Sequence, residues 1–110
     1  MYLTGYKRQL VTIRQTDAYE KWFRKLRDRE AKARILIRIK RLSANNPDDV
    51  RSVGGGISQP RIDYGPGYRV YFCRVDGTMA VLLLGGDKST QSQDIEKACD
   101  LAQKLKSGGW

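Results

Sequence analysis

A Gly-Pro-Gly triplet at residues 65–67 separates two runs rich in β-branched and aromatic residues, 57–64 and 68–75. Glycine takes backbone conformations closed to other residues and proline presets its own φ, so the triplet reads as a tight turn between two strands. Asp76-Gly77 repeats the turn signal before a third run, 79–84, and Gly85-Gly86 breaks that run ahead of a helical pattern. The chain is thereby committed to three strands in succession and a helix. Within the 68–75 strand, Val70 and Phe72 share one face while Arg69, Tyr71 and Cys73 share the other; Arg61 and Ile62 divide in the same way. The 79–84 run is apolar on both faces, as an interior strand is. Pro60 cannot donate to a ladder and points to an edge or a bulge.

The first half of the chain is helical by pattern. Residues 9–14 form a short β-branched strand candidate. Thr16-Asp17 then opens a helix, with Asp17 accepting backbone N–H groups and Glu20 three residues on. Ala18, Trp22 and Leu26 fall on one stripe of it. Ala31, Ile35, Ile39 and Leu42 recur at helical spacing over 28–42, and Asn45-Asn46-Pro47 stops that second helix. Residues 53–56 read as a glycine-rich bend. Thr90 with Gln93 caps a closing helix that buries Ile95, Ala98, Ala102 and Leu105, runs to about residue 106 and leaves 107–110 as a flexible tail with Trp110 disordered. The expectation is one α+β domain over 1–110, of order β-α-α-β-β-β-α: an antiparallel-rich four-stranded sheet packed against an N-terminal helical hairpin, with a C-terminal helix.

Charge narrows the partners. Of a net +9, residues 1–51 carry 14 Lys/Arg against 6 Asp/Glu, whereas 52–110 carry 7 against 6. A basic excess on the leading helices is the footprint of a polyanionic partner; its alternative is an ordinary solvated helix surface. No apolar run approaches the ~20 residues that span a bilayer. Lys7, Arg8 and Arg14 interrupt any signal-like segment, so the expected location is cytoplasmic. The chain has no histidine, and Cys73 and Cys99 form no CxxC pair, so metal sites lose their commonest donors and no metal or other cofactor is expected. The two thiols read as inert.

Candidate site residues follow from the strand parity. Arg61, Arg69 and Tyr71 are expected on an open sheet face, with Lys88 entering from the strand-to-helix junction. Guanidinium groups grip phosphate bidentately and a lysine adds a mobile point charge. Tyr64, Tyr68 and Tyr71 have the rings that stack on bases. The plainer reading pairs these residues with nearby carboxylates such as Asp63. Gly54-Gly55-Gly56 lacks the spacing of a nucleotide cradle. Asp17, Glu20, Asp94 and Glu96 read as caps and solvated charges.

The element order, the run Arg61-Ile-Asp-Tyr-Gly-Pro-Gly-Tyr-Arg-Val-Tyr-Phe and the run Leu83-Leu-Gly-Gly-Asp-Lys-Ser-Thr-Gln91 together resemble the RelE/HigB superfamily of toxins, nearest to the phage-derived, addiction module killer protein branch of HigB-like toxins. The resemblance spans roughly residues 8–105. It implies the toxin of a type II toxin–antitoxin system: a metal-independent endoribonuclease, or mRNA interferase, that cuts mRNA on the ribosome and is neutralised by a HigA-like helix-turn-helix antitoxin, through which the complex meets DNA. Arg69 matches the arginine of the family's Tyr-Arg-Val motif and would stabilise the transition state. Arg61 and Lys88 fall where relatives carry basic residues, and Tyr71 joins them as a catalytic candidate. Arg34, Arg38 and Arg41, with Tyr64 and Tyr68, are the RNA-binding candidates. Where relatives carry a histidine or tyrosine near the last helix, this chain has Gln91 and Asp94, candidates for proton transfer. The acceptor stays open among Tyr71, Tyr64, Asp94 and Lys88. Gln59-Pro60 replaces the usual Glu-Leu before Arg61. Two alternatives share the fold: a ParE-like gyrase-poisoning toxin, and a catalytically weak antitoxin-binding module.

Overall fold

The computed structural model describes residues 10–46 and 50–108. It is an α+β domain whose five-stranded sheet has the order β1-β5-β4-β3-β2. Strand β1 (Thr12–Gln15) leads into α1 (Asp17–Lys25) and α2 (Arg29–Ser43); β2 (Val50–Gly54), β3 (Ile57–Ile62), β4 (Tyr68–Asp76) and β5 (Met79–Gly86) follow. A single 3₁₀ turn over Lys88–Thr90 opens α3 (Gln91–Gly108). No helix among the described residues is long and apolar enough to cross a membrane. The residues Lys7, Arg8, Gln9, Pro47 and Trp110, on which readings of the leader, the first strand, the second helix's stop and the tail depended, lie outside the described residues.

The four-stranded expectation is corrected to five. Residues expected to form only a bend close a further hairpin: β2 pairs antiparallel with β3, and Gly54, Gly55 and Gly56 turn it with φ of 97°, 62° and 77°. Three successive left-handed residues are open to glycine and few others. Strand β1 pairs parallel with β5, so the sheet is mixed. Pro60 lies neither on an edge strand nor at the β2–β3 irregularity: β3 is interior, and Pro60 stands opposite Val50. Its missing N–H falls where the β3–β4 ladder is interrupted, between the pairs Ser58–Phe72 and Arg61–Arg69. Those two pairs share one register, so Gln59 faces Tyr71 across the gap.

The helical hairpin is held by local chemistry. Thr16, and not Asp17, caps α1: its Oγ1 accepts from the Tyr19 N–H at 3.1 Å and donates to the Leu83 carbonyl at 2.6 Å, tying the helix start to β5. Asp28 caps α2 by accepting from Glu30 and Ala31. Of the expected α1 stripe, Trp22 and Leu26 pack on the core, while Ala18 gives way to Tyr19. Tyr19 is its buried residue, with Trp22 and Phe23 packed beside it. On α2, Ala31, Ile35 and Leu42 are buried as their spacing predicts. Asp87, rather than Thr90, caps the turn before α3 by accepting from the Ser89 N–H at 2.8 Å; α3 continues two residues past its expected end.

Both faces of the sheet are covered. On one, α1 and α2 enclose a core that includes Ile62, Val70, Phe72 and Leu82. On the other, Ala98 and Ala102 of α3 pack on Ile57, Tyr71, Cys73, Val81 and Leu83. The open face expected for Arg61, Arg69 and Tyr71 is therefore the floor beneath α3. Tyr71 has no solvent exposure and Arg69 has 7%.

Candidate functional site

At the end of the sheet next to the start of α3, the ladder sets Arg61 of β3 directly opposite Arg69 of β4, and Arg69 opposite Gly86 of β5. Arg61 is exposed; Arg69 is almost wholly buried. The Arg69 Nη1 donates to the Gly67 carbonyl at 2.7 Å, and its buried Nε has no partner. Neither arginine has an ion pair among the described residues. A buried guanidinium without a counter-ion is costly, and an arriving anion relieves that cost.

The Gly-Pro-Gly turn shapes the cleft in front of Arg69. Gly67 has φ 78°, and a Cβ there would stand 3.2 Å from the Arg69 Nη1 and 3.4 Å from the Lys88 Cβ. The Lys88 N–H in turn reaches the Pro66 carbonyl at 3.4 Å, so the turn and the start of the 3₁₀ segment close on each other. The resulting cleft of about 520 Å³ is lined by Arg61, Asp63, Tyr64, Arg69 and Lys88, among others. A second cleft of about 320 Å³, lined by Arg34, Ile37, Arg38, Arg41, Arg61 and Asp63, opens on the α2 side. Arg61, Ile62 and Asp63 are the shared wall. The cations expected for catalysis and those expected for RNA binding thus line two clefts that meet at Arg61.

The tyrosines do not join them as expected. Tyr71 is buried under α3 with no partner for its hydroxyl. Burial, reinforced by Asp94, pushes its pKa up to about 12 despite the neighbouring Arg69. Tyr68 belongs to the helical-hairpin face, its ring edge-on to Trp22 at 6.4 Å. Tyr64 lies on the cleft rim, but the Arg34 guanidinium covers its ring at 4.7 Å and its hydroxyl donates to Asp28. That bond raises the Tyr64 pKa, while the Ala31 N–H and then Tyr64 hold Asp28 below the usual carboxylate range.

The proton-transfer candidates are also committed elsewhere. Asp94 is buried against Gly86 and accepts from the Thr90 hydroxyl at 2.6 Å. Gln91 donates to the Gln59 Oε1 at 3.2 Å, pinning the first residue of α3 to β3. Neither lines the two clefts. Gln59 itself is fully buried, and its Nε2 lacks a partner. Two further residues belong to the site and were not among its candidates: Ile37, an exposed apolar side chain at the α2 cleft, and Asp63, the acidic residue in both linings. The available signal for Asp63 was its place two residues after Arg61, immediately before the turn.

No family model matches the chain. A relative 48% identical over 95 residues, covering 86% of this chain and 96% of its own length, is an uncharacterized protein of Haemophilus influenzae (strain ATCC 51907 / DSM 11121 / KW20 / Rd). At that identity and coverage, the chain belongs to the same family as the uncharacterized Haemophilus influenzae protein.

Proposed function

We propose that the protein is the toxin component of a type II toxin–antitoxin system, an mRNA endoribonuclease acting on the ribosome in the cytoplasm and restrained by a HigA-like helix-turn-helix antitoxin. The observation that carries the reading is the opposed pair Arg61–Arg69, which with Lys88 lines one cleft and through Arg61 continues into the Arg34, Arg38 and Arg41 cleft. A phosphodiester chain is a ligand that presents anions in succession along such a line. In the proposed reaction the RNA 2′-oxygen attacks the adjacent phosphorus, and Arg69 and Arg61 stabilise the extra negative charge of the transition state. Oriented cations in a partly desolvated site are suited to that task, because no reorganisation is needed as charge develops.

The test is induction of the protein in cells followed by mapping of mRNA 5′ ends, beside Arg69→Ala. Cuts within translated codons that disappear in the variant support the reading. Growth arrest with intact mRNA and broken DNA refutes it and favours gyrase poisoning. A second reading, a module of the same fold that binds without cutting, draws on one observation: the four acceptors weighed from the sequence are buried, bonded or cationic.

A further inference from the structure

Asp63 offers what those four groups do not. A general base must stand in the cleft beside the reacting phosphate and be free to take a proton; geometry decides before acidity does. Tyr71 is buried beneath α3 and Asp94 is a buried residue of α3 itself, both outside the cleft linings. Tyr64 donates its own proton to Asp28. Lys88 is in the cleft, but as a cation it is placed to give a proton rather than to take one. Asp63 is exposed, lines the same cleft as Arg61, Arg69 and Lys88, and has no hydrogen bond or ion pair among the described residues. Its backbone is also fixed. The Tyr64 N–H donates to the Ile62 carbonyl at 2.8 Å, a three-residue turn with Asp63 at the apex. The next bond of the loop, from the Gly67 N–H to the Tyr64 carbonyl at 3.2 Å, anchors the far side.

A carboxylate also weakens phosphate binding wherever it lines a phosphate cleft. Placed on the wall between two otherwise basic clefts, it has a cost that a binding-only surface has no reason to bear.

Resting on the nuclease reading above, we propose that Asp63 is a catalytic residue, the general base that accepts the proton of the attacking 2′-hydroxyl. As the Asp63 carboxylate takes the proton, the 2′-oxygen forms its bond to phosphorus and the bond from phosphorus to the 5′-oxygen breaks. The Lys88 ammonium protonates the departing 5′-oxygen. The products are a 2′,3′-cyclic phosphate and a 5′-hydroxyl; Asp63 then returns its proton to water and Lys88 regains one, so the enzyme ends as it began.

The deciding experiment adds purified full-length protein to ribosomes translating a defined mRNA. It measures single-turnover cleavage, binding to the programmed ribosome and the rate–pH profile for wild type, Asp63→Asn, Asp63→Glu and Arg69→Ala. For Asp63→Asn the expected result is a rate lower by about 10²- to 10⁴-fold, the range for loss of a general base. Binding is retained within about threefold, and the acidic limb of the profile seen in wild type is lost. Asp63→Glu, which keeps the carboxylate, recovers part of the rate. Wild-type cleavage by Asp63→Asn overturns the assignment alone, as does an altered nucleotide preference at an undiminished rate, which makes Asp63 a reader of bases. Absence of cleavage by the wild type overturns the nuclease reading and the Asp63 role with it.

Discussion

Gly85→Ala probes the seam between α1 and the sheet without touching the proposed site. Gly85 lies on β5 opposite Val70, and a Cβ built on it falls well inside contact distance of three ring atoms of Trp22. To restore an ordinary carbon–carbon contact of ~3.5–4.0 Å the indole must slide by more than ~1 Å. Its freedom is small, because Tyr19 sits 5.8 Å from it on one side and Tyr68 6.4 Å away on another. Overpacking of this kind costs roughly 3 kcal/mol at the upper end of its usual range. Alanine offsets about 0.7 kcal/mol by restricting the unfolded chain. The net loss is about 2 kcal/mol, and for a domain of this size each kcal/mol lowers Tm by about 5 °C, hence a fall near 10 °C. The assay is urea unfolding of four proteins: wild type, Gly85→Ala, Trp22→Ala and the double variant. With the indole gone the new methyl has room, so Gly85→Ala should be neutral or slightly stabilising in that background, a coupling of about 2 kcal/mol. An equal penalty in both backgrounds would refute the packing argument.

Other consequences follow from single side chains. Tyr71→Phe removes a buried hydroxyl that has no partner, so stability should stay level or rise by up to ~1 kcal/mol, and a fall of that size in denaturant titration would mean the hydroxyl is satisfied. Asp28 is held below the usual carboxylate range in the folded state, so its contribution is complete above the unfolded value of ~3.9 and is lost as pH falls through the folded one. Asp28→Asn should therefore flatten the acid limb of the Tm–pH curve, and parallel curves would contradict this. Arg61→Gln relieves the like charge facing Arg69, so at low salt it should melt above the wild type, whereas added polyphosphate should raise the wild type more than the variant. A lower Tm for the ligand-free variant would count against repulsion across the pair.

Elements whose signal is periodic were legible. Ala31, Ile35 and Leu42 gave α2 its buried face from spacing alone, and the Gly-Pro-Gly and Asp-Gly turns placed β3, β4 and β5. Strand β2 was not legible, because Arg51 and Ser52 are exposed and the stretch carries little apolar alternation to mark it. The glycines that turn its hairpin resemble a loop in sequence. Parity correctly separated Arg69 and Tyr71 from Val70 and Phe72, yet nothing in the sequence says which face α3 will cover. That single placement turned an exposed tyrosine into a core residue and an exposed arginine into a buried one. The same placement leaves Arg61 and Lys88 exposed at the edge of α3. The site residues were therefore easier to name than their surroundings.

Those surroundings carry the strongest argument for an external anion. The Tyr71 environment feels both Asp94 and Asp87 as well as Arg69, so carboxylates do lie in the neighbourhood. A domain selected only for stability would turn one of them toward the buried guanidinium, since an uncompensated buried charge is among the costlier defects a fold can carry. Here each is directed away. Asp94 accepts from Thr90, and Asp87 accepts from the backbone and hydroxyl of Ser89. Asp28 serves α2 and the Tyr64 hydroxyl. The register then adds a second arginine opposite the first, where like charges repel. Asp87, Asp94 and Asp28 are thus bound to helix starts or hydroxyls, Asp63 lines the cleft with no hydrogen bond or ion pair among the described residues, and Arg61 and Arg69 are left to face one another across the strand pair. A charge arriving from outside the chain would offset that repulsion, and on the nuclease reading proposed above the arginines leading from Arg61 onto α2 suit a ligand with more than one.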